Sequence, residues 1–205
     1  MTSHAVTIAT EAELVPANCV TPLDLGALFG RSAPLEVDLG CGEGSFLAAL
    51  AAADATRNFL GIERQQGRVR SASRKLERHG LTNGRVLPFE ISYAVAELLP
   101  PASVTTFHLM FPDPWPKRRH APRRLVNDRF LAAVTAALVP GGVLNVATDH
   151  PAYFDEIGRC ARRAAGLREI SPAGPAAAAT KFEKMFTGLG AKIYRLSLQK
   201  TSPVT

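Results

Sequence analysis

From Leu35 onward the chain alternates short apolar runs with stretches of helical periodicity, and this alternation constrains the fold more than any other feature. Leu35–Leu39 reads as a strand, and the alanine-rich residues 45–53 as the helix that follows it. Asn58–Glu63 is a second strand, succeeded by a basic helix running to His79 and Gly80. Arg85–Glu90 is a third, placed near an edge or bulge by Pro88, which donates nothing to a ladder. Val104–Phe111 is a fourth. An amphipathic helix over Asn127–Val139 closes at Pro140-Gly141-Gly142 and leads into a fifth strand, Val143–Thr148. Tyr153–Gly166 is another helix, and residues 191–200 alternate as a late strand. Parallel neighbours need a crossover, and a helix is the usual one. The pattern therefore predicts an α/β fold with a mostly parallel sheet covered on both faces.

The rest of the chain is organised around that block. Residues 1–33 form an N-terminal segment that packs on the core, with a short helix from Thr21-Pro22 to near Gly30. Residues 34–200 form a single domain and residues 201–205 a tail, with a low-complexity loop over Pro172–Ala179. A net charge of +6 favours an anionic partner. Cys19, Cys41 and Cys160 are odd in number and lack metal-type spacing, which indicates a reducing compartment and no metal. The first residues lack the pattern of a signal peptide, and no apolar run reaches membrane-spanning length. The expectation is a soluble, cytoplasmic protein, monomer or homodimer, that engages no membrane.

The first strand and helix are joined by Asp38-Leu-Gly-Cys-Gly-Glu-Gly44. Gly40 and Gly42 let the backbone approach a ligand without a Cβ in the way. The spacing departs from the G-x-G-x-x-G of nicotinamide enzymes, and Asp38 suits a positively charged ligand better than a pyrophosphate. Glu63 ends the second strand, where an acid commonly holds ribose hydroxyls; Glu90 ends the third, where a carboxylate can accept from an adenine amino group.

The segment Phe111-Pro-Asp-Pro-Trp-Pro-Lys-Arg-Arg-His120 follows the fourth strand. Its three prolines exclude helix and central strand and make a stiff loop that presents Asp113 and Trp115. A carboxylate, a flat aromatic surface and cations are what a site for an RNA base requires. Lys117, Arg118, Arg119, Arg123 and Arg124 read as a phosphate-binding strip. Helical spacing places Arg64, Arg68, Lys75 and Arg78 near one face of the basic helix. Asp149 supplies an acid after the fifth strand, and Thr180-Lys181-Phe182-Glu183 gathers hydroxyl, cation, aromatic and acid.

Val37-Asp-Leu-Gly-Cys-Gly-Glu-Gly44 resembles the first motif of class I S-adenosylmethionine-dependent methyltransferases. Phe111–Lys117, Thr148-Asp149 and Thr180–Glu183, in that order, resemble the tRNA (guanine-N7)-methyltransferase family almost to the C-terminus. The resemblance implies a Rossmann-like, seven-stranded, mostly parallel sheet with one antiparallel strand. It also implies methyl transfer from S-adenosylmethionine to nitrogen 7 of a guanine in the tRNA variable loop. Carried over by position, Asp38, Gly40, Gly42, Glu63, Glu90 and Asp113 would surround the cofactor, with Asp113 catalytic. Lys117, Asp149, Thr180, Lys181, Phe182 and Glu183 would contact the substrate. Members often carry Asp or Asn where Glu90 stands, and the N-terminal extension here is short. The alternatives are an RNA-binding protein on an inactive methyltransferase fold, and a methyltransferase acting on another RNA base.

Overall fold

The computed structural model describes residues 7–8, 12–15, 18–115, 119, 123–172 and 190–201. The chain divides into two compact units, Met1–Pro100 and Pro101–Thr205.

The first unit opens with a short antiparallel pair, β1 (Thr7–Ile8) and β2 (Leu14–Val15), and a single helical turn, α1 (Leu25–Phe29). Asp24 caps α1 by accepting from the Ala27 amide, and Gly30 ends it in the left-handed conformation. Then come β3 (Leu35–Leu39), α2 (Ser45–Ala53), β4 (Asn58–Ile62), α3 (Gln66–Arg78) and β5 (Gly84–Leu87). The three strands run parallel in the order β5-β4-β3. Phe59 and Val86 are buried on the sheet face that carries α2 and α3, where a Cβ on Gly61 would meet Leu47 and one on Gly84 would meet Leu76. That apolar contact fixes the helices on the sheet, because burying each such side chain contributes about 2 kcal/mol.

Two polar residues finish this layer. The Asn83 amide donates to the carbonyls of Ala51, Asp54 and Arg57, closing the C-terminal end of α2. Arg31 donates to Asn58 Oδ1 and to the carbonyls of Ala55 and Arg57, bracing the same loop. Strand β5 stops at Leu87, where Pro88 follows, and on the side away from β4 the Val86 amide donates to the Ala12 carbonyl of the N-terminal segment. The chain continues as α4 (Ile91–Tyr93) and a π-helical turn over Ala94–Leu98.

The second unit contains β6 (Val104–Met110), α5 (Asp128–Ala137), β7 (Leu138–Thr148), α6 (Pro151–Arg163), β8 (Leu167–Ile170) and β9 (Tyr194–Lys200). Strands β6 and β7 are parallel, while β9 is antiparallel to both β7 and β8. Phe107, Leu131, Val134, Leu144 and Ile157 form its core. The strands from β3 onward make a seven-stranded mixed sheet in the order β5-β4-β3-β6-β7-β9-β8, with β9 the one antiparallel member.

The largest differences from the sequence expectation concern β7, β8 and β5. Strand β7 starts at Leu138, and its register with β6 jumps from Val104–Leu138 to Thr106–Val143, so Pro140-Gly141-Gly142 forms a bulge inside the strand. Strand β8 is additional to the strands that the sequence pattern predicts. The third strand ends three residues before Glu90, which sits outside the sheet.

Candidate active site

In the first unit the glycine turn is anchored from both sides. The amides of Gly40 and Cys41 both donate to the Ile62 carbonyl, tying the turn to the end of β4. Gly44 starts α2 at φ 73°, and a Cβ there would lie 2.6 Å from the Ala72 Cβ of α3. Gly44 is thus a packing glycine. Gly42, at φ 56°, has nothing within 4 Å of where a Cβ would stand, and a Cβ on Gly40 would meet only Ile91. These two are the positions left open to a ligand. Lys75 reaches back from α3 to donate to the Glu43 carbonyl at 2.8 Å and to Ser45 Oγ at 2.6 Å.

Asp38 lies beside this turn near the end of β3, almost fully buried, and its Oδ2 has no hydrogen-bond partner. Burial, and then the neighbouring charge of Glu63, raise its pKa from 3.8 to about 7. A buried carboxylate oxygen without a partner is costly on its own and becomes favourable once a cation or donor arrives. Glu63, also buried, follows β4 directly; its Oε1 accepts from the Gln65 amide, and Arg68 stands 4.0 Å from its Oε2. The structure therefore brings Asp38 and Glu63 together.

Glu90 behaves otherwise. It is exposed and caps α4 by accepting from the Tyr93 amide at 2.9 Å, so it is a helix cap and not the end of a strand. Burial raises the pKa of the Cys41 thiol well above its usual value, with Asp38 and Glu63 adding to the effect, which leaves it inert.

In the second unit, Asp113 and Asp149 follow the carboxyl ends of neighbouring parallel strands, since Met110 of β6 pairs with Ala147 of β7. The Phe111 amide donates to the Ala147 carbonyl and pins the start of the proline loop. Phe111 and Trp115 both adopt positive φ, 55° and 43°, a conformation that costs a non-glycine residue free energy and marks a shape imposed by its surroundings. Arg124 imposes much of it. Its Nε donates to the Pro114 carbonyl at 2.8 Å and its Nη2 to that of Trp115, while its Nη1 pairs with Glu156 of α6. The same guanidinium lies over the Tyr153 ring. Asp113 is left exposed, and Arg123 stacks 5.2 Å from the Trp115 ring. Asp149 is half-buried between Thr148, which accepts from the His150 amide, and His150, which caps α6.

Arg124 is therefore a loop clamp, 11 % exposed, and not a member of a phosphate strip. The basic helix also turns differently from expectation. Arg68 and Lys75 point to Glu63 and to the glycine turn, whereas Gly67, Arg70, Ser71, Arg74, Glu77 and Arg78 share the exposed side. Lys117 and Thr180–Glu183 lie outside the described residues. Among the described residues no cluster of His, Cys, Asp and Glu is placed to hold a metal, and no helix is long and apolar enough to cross a membrane.

A sheet of this order, with a glycine turn after β3 and acids at or just after the strand ends, defines a class I methyltransferase fold. The 16S rRNA methyltransferase KamB superposes with a TM-score of 0.62 over 88% of this chain and 95% of its own, at 17% identity. A family model described as a putative methyltransferase matches residues 32–196. The chain is 38% identical over 180 residues to the tRNA (guanine-N(7)-)-methyltransferase of Halorhodospira halophila, covering 85% of this chain and 78% of that one. It is 37% identical over 186 residues to that of Sodalis glossinidius, covering 88% and 78%. The chain belongs to the tRNA (guanine-N7)-methyltransferase family.

Proposed function

We propose that this chain methylates nitrogen 7 of a guanine in the tRNA variable loop, using S-adenosylmethionine. The observation that supports cofactor use is the buried Asp38 carboxylate with an unpartnered oxygen beside an open glycine turn. A ligand carrying both an ammonium and a sulfonium fits that environment, and a nucleotide pyrophosphate does not. When bound, S-adenosylmethionine supplies an electrophilic methyl group. Asp38 and the turn at Gly40 and Gly42 would seat its methionine end. Glu63, held in place by the Gln65 amide, would take the ribose hydroxyls. Glu90 keeps its place in the proposal as an adenine contact only through whatever acceptor capacity its helix-capping leaves.

Guanine nitrogen 7 carries a lone pair and no proton, so no general base is required of the chain. What the chain must supply is alignment and compensation for the positive charge that the ring acquires. Asp113 and Asp149, on adjacent strand ends, are the acids for that work, orienting the base through its N–H edge. Lys117 and Thr180–Glu183 would complete the tRNA contacts. Asp113→Ala is expected to lower turnover at least a hundredfold while tRNA affinity changes by less than threefold, about 0.6 kcal/mol. Parent-level turnover in that variant would overturn the assignment of Asp113.

A further inference from the structure

The exposed side of α3 has no part in the site described above. Gly67, Arg70, Ser71, Arg74, Glu77 and Arg78 line an open depression of about 600 Å³. Their spacing of three and four residues is that of one helix face, opposite the stripe of Val69, Ala72, Ser73 and Leu76 that is buried in the sheet. Arg70, Arg74 and Arg78 recur every four residues, which sets their Cα atoms about 6 Å apart along the axis. Like charges at this spacing destabilise a helix by a few tenths of a kcal/mol per pair. Among the described residues neither Arg70 nor Arg74 forms an ion pair, and Arg78 donates only to the Arg74 carbonyl. The other cations of this helix are used: Lys75 by the glycine turn and Arg68 by Glu63.

We infer that this face is a second tRNA contact, in which Arg70, Arg74 and Arg78 bind successive phosphates of the RNA backbone. The inference rests on tRNA being the substrate. Three unneutralised guanidiniums in a row complement a polyanion of regular charge spacing. Gly67 and Ser71, between them in the depression, leave room for a backbone to approach. Glu77 is the one acid there, and it offsets only part of the charge. The contact reads phosphate and not base, so it adds affinity and orientation without sequence preference.

The test is equilibrium binding of an unmodified tRNA transcript across a salt series, alongside methylation kinetics, for the parent and for Arg70→Gln/Arg74→Gln. Glutamine keeps helix propensity and removes charge, and matching melting temperatures establish that both proteins are folded. The dissociation constant and KM for tRNA are expected to rise about tenfold, and the log–log salt slope to become shallower by about 1.5 to 2. The rate at saturating tRNA should stay at the parent value, and Arg70→Lys/Arg74→Lys should restore most of the slope. An unchanged slope in the glutamine variant overturns the inference, even if affinity falls, because the lost contact would not then be to phosphate. Should the parent bind tRNA but leave guanine unmethylated, the functional reading fails while the salt series still decides this surface.

Discussion

A carboxyl group held at a pKa of about 7 makes ligand binding depend on pH in a definite direction. The folded pKa of Asp38 lies above its value of 3.8 in an open chain. Between about pH 4 and 7 the unfolded chain ionises while the folded one keeps its proton, so this group subtracts stability as pH rises through that window and adds no further change above it. A cation beside Asp38 favours the ionised form. Affinity for S-adenosylmethionine is therefore expected to climb with pH up to about 7, by at most about tenfold per unit, and then level off. Calorimetry in buffers of different ionisation enthalpy would register uptake of the released proton below pH 7, and Asp38→Asn should flatten the profile. Arg124 gives a second prediction at this scale. Arg124→Met keeps the packing on Tyr153 but frees the carbonyls of Pro114 and Trp115 and strands Glu156. Stability should drop by about 3 kcal/mol, and turnover should fall while S-adenosylmethionine affinity holds.

Elements are joined here by close contacts that single substitutions can probe. Gly30 and Gly44 both have positive φ, but only Gly44 faces another helix at the distance of a clash. Gly30→Ala is expected to cost about 1 kcal/mol, the strain of a left-handed alanine. Gly44→Ala should cost at least about 2 kcal/mol more in chemical denaturation, because Ala72 backbone must move. Equal losses would mean that α2 and α3 do not meet at Gly44.

Most of these elements are legible in the sequence. Helix α2 begins and ends where its alanine pattern does, since a glycine turn and Asp54 bound it. The misreadings are local. Strand β8, Leu-Arg-Glu-Ile, is short and charged and is held by pairing with β9, a contact distant in sequence. Pro88 does mark an edge strand, β5, but it also ends the ladder, so the strand stops at Leu87 and Glu90 lies beyond it. On α3, spacing identifies a basic side but not which long side chains bend back to a carbonyl or an acid. The partners that engage Lys75 and Arg124 lie about thirty residues away along the chain, so spacing alone does not reveal them.

At the scale of the whole molecule, the seven-stranded mixed sheet and the family relationship establish a methyltransferase, and the roles proposed for Asp38, Glu63, Asp113 and Asp149 would give that activity a physical basis. The sharpest test of the account is methyl transfer from labelled S-adenosylmethionine to unmodified tRNA transcripts, followed by borohydride reduction and aniline cleavage. On a transcript that starts unmodified, methylation of guanine at nitrogen 7 creates the site that this treatment breaks, so the experiment reads reaction, base and position together. A single break in the variable loop is the predicted result. Labelled tRNA without such a break would contradict the account.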